Sequence, residues 1–446
     1  MNLKECISVP GVEPGKICIA GETEMRHPAE REVKKFMSKK LGEPLALARA
    51  EDGRTVIGPG AFSIMTDFAW LERANRNARK GKRYREEVRC FHQNLDGNLL
   101  DIQEDMRQGT YRTGGYRHLW VQVPKRRLVM ALPYRDRIVQ WSVYQLLNPY
   151  FDRTFIADSY ACRVGKGSHK AVERLQYWLR KINRSQYPDW YYLKLDISKY
   201  FYRVDHEVLL KILRWRITDP DLMQLIERVV NNPKEPFGLP RGKKPEDVRF
   251  ESWLYNVGMP IGNLLSQMFA NIMLNELDQY CKHVLHIGAY IRYMDDILIL
   301  GPDKEQLKEY HKKIAEFLCN VLHLDLNDKT CIRPVSMGIE FVGQRVWATH
   351  CILRKSTARR LKREVRKISE NVRDKIITRQ EFERRVASIR GMIDHTNSGA
   401  LRWRLNEITF NIVGDVYGEL PYGRGDSDRK AVRGCGNAKR NYKSAA

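Results

Sequence analysis

Tyr293-Met294-Asp295-Asp296 constrains this chain more than any other stretch. Tyr290-Ile291-Arg292 precedes it and Ile297-Leu298-Ile299-Leu300 follows, so two adjacent carboxylates sit at a bend between short strand-like segments. Carboxylates in that setting are costly to bury unless something neutralises them. Magnesium suits the role, because it takes hard oxygen ligands and leaves room for phosphates. A second strand-like segment, Tyr191-Tyr192-Leu193-Lys194-Leu195-Asp196-Ile197-Ser198, carries a third carboxylate. Strands presenting Asp196 and Asp295 side by side, with Asp296 next to them, would make a two-metal site for in-line phosphoryl chemistry. An isolated Asp-Asp pair is usually a turn or a solvated surface. The matching Asp-bearing strand and the motifs lying in order around it argue for chemistry here.

Charge points the same way. The chain has 446 residues, with 78 Lys and Arg against 54 Asp and Glu, a formal net charge of +24. Such a surplus favours a polyanionic partner, most simply nucleic acid. At 43% hydrophobic residues the chain can build a sizeable core, over roughly two or three domains. No run of 18 or more apolar residues suggests a membrane span, and Met1–Cys6 opens no apolar signal core. The nine cysteines are scattered without CxxC pairs, which fits reduced thiols and a cytoplasmic setting better than zinc or disulfides.

Residues 1–60 are rich in Gly and Pro, with one helix expected near Ala29–Lys40, and read as an extension with weak structure of its own. From Asp67 to Leu100 the pattern is helical. Arg73, Arg76, Arg79, Lys80, Lys82, Arg83 and Arg85 form a run without an acid among them. A charge run is usually a solvated helix face, but a phosphate backbone would relieve this repulsion. Tyr116–Val123 and Pro124–Met130 read as strands and turns. Residues 168–183 read as a helix, 206–232 as two helices, 233–250 as a Pro-rich loop and 263–285 as a helix. After residue 350, Leu361, Val365, Ile368 and Val372 repeat at helical spacing, interleaved with Arg359, Arg360, Lys362, Arg363, Arg366 and Lys367. The stretch from Pro421 reads as a flexible basic tail.

Further residues fit around the carboxylates. Gly258-Met259-Pro260-Ile261-Gly262-Asn263-Leu264-Leu265-Ser266-Gln267 opens the long helix, and glycines there allow a backbone to approach a ligand closely. Lys125, Arg126 and Arg127, with Arg135 and Arg137 around Pro133–Arg137, read as cations on a β-hairpin that would meet an incoming triphosphate. Lys329, within Asp325–Thr330, is placed to protonate a leaving pyrophosphate. Met337–Gln344 reads as a hairpin that could brace a primer end. Gly165-Lys166-Gly167-Ser168 lacks the spacing of a phosphate-binding P-loop.

With these motifs in order, residues from about 65 to 410 resemble a reverse transcriptase. The resemblance implies an α+β fold, a right-hand polymerase whose antiparallel palm sheet is backed by helices. It implies fingers over 61–190, a palm over 191–350 with a helical insertion near 206–250, a helical basic thumb over 351–412 and a tail over 413–446. It places Asp196, Ile197, Asp295 and Asp296 at two magnesium ions, with manganese as a substitute. Phe201 matches the steric-gate aromatic. Ile261, Gly262 and Gln267 join Lys125, Arg126 and Arg127 around the nucleotide. Tyr293, Met294, Gly338, Phe341, Gly343, Arg359, Arg363 and Arg366 fall on template and primer. The partners implied are a template RNA and primer, their RNA/DNA hybrid and dNTPs.

One departure narrows the resemblance. Most reverse transcriptases carry Gln-Gly-x-x-x-Ser-Pro where this chain has Ile261-Gly262-Asn263-Leu264-Leu265-Ser266-Gln267. That version, and Ile156–Gly167, resemble the enzymes of diversity-generating retroelements and their group II intron relatives. Such enzymes make errors opposite template adenine, their mutated cDNA replaces a variable region (mutagenic retrohoming), and they work with a small basic helical accessory protein. Ile261 cannot hydrogen-bond where a Gln would. Such enzymes lack RNase H and endonuclease domains, and none is expected here; they are encoded by bacteria, archaea or phages. Three alternatives stand beside this reading: an antiphage-defence reverse transcriptase, a group II intron-type enzyme, and a non-catalytic RNA-binding scaffold.

Overall fold

The computed structural model describes residues 46–122, 126–183 and 190–417. The expected helix near Ala29–Lys40, Lys125 and the tail from residue 418 lie outside the described residues. The chain divides into two compact units, ending and beginning at Met337 and Gly338.

The first unit opens with a hairpin, β1 (Leu47–Arg49) and β2 (Thr55–Ile57). This part of the expected extension is ordered because Arg54 lies over the Trp215 ring and Thr218 N donates to Ile57 O at 2.8 Å. Helices α1 (Ala61–Met65), α2 (Phe68–Ala78), α3 (Glu86–Gln93) and α4 (Leu95–Arg107) follow. The hairpin β3 (Arg117–Val121) and β4 (Arg127–Ala131) comes next, then α5 (Tyr134–Thr154) and α6 (Ser168–Asn183). Arg135 and Arg137 therefore sit on a helix, not on the β-hairpin expected of them. Pro133 sets the helix entry, Arg135 pairs with Asp105, and Arg137 pairs with Glu87 at 3.0 Å.

The remainder of the unit is β5 (Tyr191–Asp196), α7 (Tyr200–Arg203), α8 (His206–Arg216), α9 (Pro220–Val230), α10 (Leu264–Gln279) running into a π-turn at Tyr280–Val284, β6 (Tyr290–Tyr293), β7 (Asp296–Gly301), α11 (Lys304–Val321) and β8 (Cys331–Pro334). Caps explain several starts: Asp205, Asp219 and Asp303 accept backbone N–H groups of α8, α9 and α11. Strands β5 to β8 form one antiparallel sheet in the order β6-β7-β5-β8.

Alternation divides this sheet into two faces. Leu193 and Leu195 pair with Ile299 and Ile297, and all four are in the main core with α10 and α11. The intervening residues, Lys194, Asp196, Leu298 and Asp296, point to the opposite face. The sheet is thus apolar towards α10 and α11, and its other face carries buried Ile291, Leu298 and Leu300, with Lys194, Asp196 and Asp296 grouped at the end near the turn.

The Pro-rich stretch 233–254 packs under β4. Leu128 and Met130 share a core with Phe237, Leu239 and Trp253, and Gly238 and Leu254 exchange backbone hydrogen bonds at 2.9–3.0 Å. Gly258 follows at φ 91, and a Cβ there would lie 2.5 Å from the Phe237 carbonyl.

The second unit contains β9 (Ile339–Phe341), β10 (Gln344–Val346) and β11 (Cys351–Leu353) in one antiparallel sheet, then α12 (Lys355–Arg373), α13 (Arg379–Asp394) and α14 (Gly399–Tyr417). Leu361, Val365, Ile368 and Val372 are buried against α13 and α14, as their spacing predicts, while Arg359, Arg363 and Arg366 are exposed. The hairpin at 339–346 pairs with β11 and so belongs to this unit.

Gly258→Ala combines a left-handed backbone with a clash against main chain, a strain of about 1–3 kcal/mol at the least. We expect a lower urea midpoint with an unchanged m-value.

Candidate active site

The register sets the three carboxylates. Asp196, at the end of β5, is paired directly with Asp296, the first residue of β7. Asp295 occupies the turn just before it, so Asp196's partner across the ladder is Asp296, with Asp295 beside them. Tyr293 is also paired with Asp296 and faces the same side. Met294 closes the turn at φ 55. Ile197 is buried and bridges to Leu326.

The turn is held from beneath. Arg292 points to the helix face and is fully buried. Its guanidinium meets both Asp278 oxygens on α10, Nε to Oδ1 at 2.8 Å and Nη2 to Oδ2 at 2.6 Å. The remaining donors reach Asn271 Oδ1, Ser159 Oγ and, at 3.2 Å, the carbonyl of Met294. Tyr290 Oη also donates to Asp278. Asp278 holds the arginine above even its usual range despite burial. The Ile156–Gly167 loop joins here: Arg292 N donates to Asp158 O, Tyr160 N donates to Arg292 O, and Asn271 Nδ2 donates to Ala161 O.

On the face that carries Asp196 and Asp296, Lys194 Nζ lies 3.0 Å from Asp296 Oδ1 and 3.2 Å from Oδ2. Burial pushes the Asp296 carboxyl up to about 6; Lys194 opposes the shift, while Asp295 and Asp196 add to it. Among the described residues no group of three His, Cys, Asp or Glu side chains is arranged to hold a metal ion. The donor chemistry still fits a hard divalent cation. Asp196 is paired with Asp296, and Asp296 Oδ1, though ion-paired with Lys194, accepts no hydrogen bond.

The second motif lies between α7 and the β3–β4 hairpin. Met259 N donates to Phe201 O at 2.7 Å, and Met130 N to Ile261 O at 3.1 Å. Gly262 has φ 107, and a Cβ there would lie 2.9 Å from Val129. The first N–H of α10, on Leu264, is capped by Gln140 of α5. Gln267 Oε1 accepts from the Cys162 thiol at 3.3 Å. Phe201 is half-buried, its ring 5.7 Å from that of Tyr200. Arg126 and Arg127 are exposed on the hairpin, Arg126 stacked over Trp120.

Lys329 is exposed on a turn that is tied to the β5 end through Asn327 N and Asp196 O at 2.7 Å. The remaining expected residues are in the second unit. Gly338, at φ 76, leaves room for the Trp347 ring. Gly343 follows Val342 in a two-residue turn with both φ values positive. Phe341 is 1% exposed, so its side chain is a core residue and offers no surface to a primer. Sequence reasoning missed Arg292, Asp278 and Lys194 as site residues. The available signal was an arginine and a lysine placed inside otherwise apolar strands, each of which requires a carboxylate partner.

Arg292→Met strands Asp278 as a buried charge and should cost about 3–5 kcal/mol in denaturant unfolding, with Arg292→Met/Asp278→Leu recovering much of it. For Asp296 the folded value of about 6 exceeds the ordinary 3.8. The folded chain therefore keeps a proton that the unfolded chain releases, and this group's contribution to stability falls as pH rises through that window. In metal-free buffer, Asp296→Asn should flatten the pH 4–6 dependence of the urea midpoint.

Residues 122–346 match the family described as Reverse transcriptase (RNA-dependent DNA polymerase), half of the chain. Protein YkfC of Escherichia coli K12 is 26% identical over 283 residues, covering 56% of this chain and 71% of that protein. The putative COX1/OXI3 intron 2 protein of Saccharomyces cerevisiae is 26% identical, covering 56% of this chain and 34% of that protein. The group II intron-encoded protein LtrA of Lactococcus lactis is 25% identical, covering 41% and 28%. The chain thus spans about a third or less of these two intron proteins. Apo telomerase from Candida tropicalis superposes with a TM-score of 0.45 at 12% identity, covering 69% of this chain and 59% of that one. No helix among the described residues is long and apolar enough to cross a membrane. By the match over 122–346, which contains all three carboxylates, the chain belongs to the reverse transcriptase (RNA-dependent DNA polymerase) family.

Proposed function

We propose that this protein copies a template RNA into cDNA by nucleotidyl transfer on a right-hand scaffold, with fingers over 61–190, palm over 191–350 and thumb over 351–412. The observation that carries the reading is the pairing of Asp196 with Asp296 at the turn end of a helix-backed sheet, inside the matched family region. Asp196, Asp295, Asp296 and the main chain of Ile197 would hold two divalent ions. Once bound, these ions would lower the pKa of the primer 3′-hydroxyl and neutralise charge on the triphosphate. The chain's own residues bind and orient. Arg126 and Arg127, with Lys125, receive the triphosphate. Phe201 lies against the sugar and discriminates at the 2′ position. Lys329 hands a proton to the departing pyrophosphate. In the first unit Tyr293 and Met294 meet the primer; in the second, Gly338, Gly343, Arg359, Arg363 and Arg366 are assigned to template and primer.

The finer assignment is to a diversity-generating retroelement, with a small helical accessory protein as partner. It rests on the Ile261-Gly262-x-x-x-Ser266-Gln267 motif. Ile261 is fixed by its carbonyl on β4 and brings an aliphatic side chain where a Gln would supply hydrogen bonds. Loss of those bonds lowers discrimination, because a site built on them rejects wrong partners by leaving polar groups unpaired. A second reading, a group II intron-type enzyme, is supported by the likeness to intron-encoded proteins.

Primer extension on an RNA template with magnesium and four dNTPs, followed by sequencing of the cDNA, tests both levels. We expect product that disappears in Asp295→Ala, with errors concentrated opposite adenine, and a reduction of those errors in Ile261→Gln. Accurate cDNA would favour the intron-type reading; full biological function in Asp295→Ala would favour a scaffold.

A further inference from the structure

We infer that Lys194 is a built-in cation that holds Asp296 and sets how tightly the carboxylate cluster takes a divalent ion. The inference rests on the proposed metal-binding role of the cluster and adds to it a residue outside the ligand set.

The geometry is specific. Lys194 precedes Asp196 by two residues on β5, so both side chains leave the same face. Its register partner is Leu298, two residues beyond Asp296. Lys194 and Asp296 are therefore diagonal neighbours, within reach of a long side chain. The ammonium approaches both oxygens of Asp296, and the two side chains are only 22% and 24% exposed. An exposed pair of this kind would matter little. This one is largely buried, and its Asp296 is paired across the ladder with Asp196 and follows Asp295 in the chain, so the ammonium offsets charge where further carboxylates lie close by.

Two consequences follow from Coulomb's law. The ammonium repels an arriving cation, and it engages the two oxygens that Asp296 would otherwise offer. Lys194 therefore stabilises the cluster when no metal is bound and weakens its grip when metal arrives.

The test is Mn2+ binding to the full chain without nucleotide, read by electron paramagnetic resonance, together with melting in EDTA and in Mn2+. Lys194→Met should bind Mn2+ at least about threefold tighter than wild type. It should melt lower in EDTA and gain more from Mn2+, because a ligand stabilises in proportion to its affinity. Lys194→Arg, which keeps the charge, should stay near wild type. Lys194→Gln serves as the neutral variant if the methionine variant does not fold. Unchanged or weaker Mn2+ binding in a folded neutral variant overturns the inference alone, provided wild-type binding is lost in Asp196→Asn. Absence of Mn2+ binding in wild type overturns the metal reading and this inference together.

Discussion

The buried pair of Arg292 and Asp278 is the interaction on which the site depends. A guanidinium and a carboxylate taken out of water need nearly every donor and acceptor satisfied, or the desolvation cost exceeds their attraction. Here both oxygens of Asp278 and all three guanidinium nitrogens are engaged. Four separate segments supply the partners: α10, β6, the Ile156–Gly167 loop and the turn at Met294. The pair therefore acts as a junction. It tells the π-turn end of α10 where β6 must lie, fixes the loop against β6, and holds the left-handed Met294 whose carbonyl it binds.

That junction lies on the opposite face of the sheet from Asp196 and Asp296. Alternation along β6 sends Arg292 to the helices and Tyr293 to the side of Asp296. Alternation along β5 sends Leu195 inward and Asp196 outward. A one-residue slip would exchange the faces and turn Asp196 and Asp296 into the core with α10 and α11. The apolar residues of β5 and β7 thus specify the register of Asp196 and Asp296 as a by-product of burying themselves. The same core that stabilises the sheet fixes which carboxylates meet.

Much of this was legible in the sequence. The Tyr293–Asp296 box, the Asp196 strand, the long helix after Gly262 and the Leu361–Val372 stripe all announce themselves by period and composition, and each forms as its pattern predicts. What was not legible depended on contacts between distant residues. Pro133–Arg137 looks like a cationic hairpin in isolation, but Asp105 and Glu87 supply acids that favour a helix there. The hairpin at 47–57 gains its order from Trp215 and Thr218, far along the chain. Phe341 reads equally well as a primer contact or a core residue until its burial is seen. Arg292 was hidden for a related reason: an arginine in an apolar strand has no meaning until Asp278 is placed beneath it.

Stability and chemistry pull in opposite directions at this sheet. Asp296 is held with its carboxyl raised by burial and by two neighbouring acids, so the free charged site costs folding energy. A cluster arranged for ligands it does not yet hold must be supported from elsewhere. The support comes in two forms that differ in kind. Lys194 offsets charge locally, on the face that carries Asp196 and Asp296. Arg292 acts from the far face, where it is fully buried and committed to Asp278. The clamp and the counter-charge thus lie on opposite faces of one sheet, so under the proposed metal binding the turn would stay rigid while the charge beside Asp296 changes.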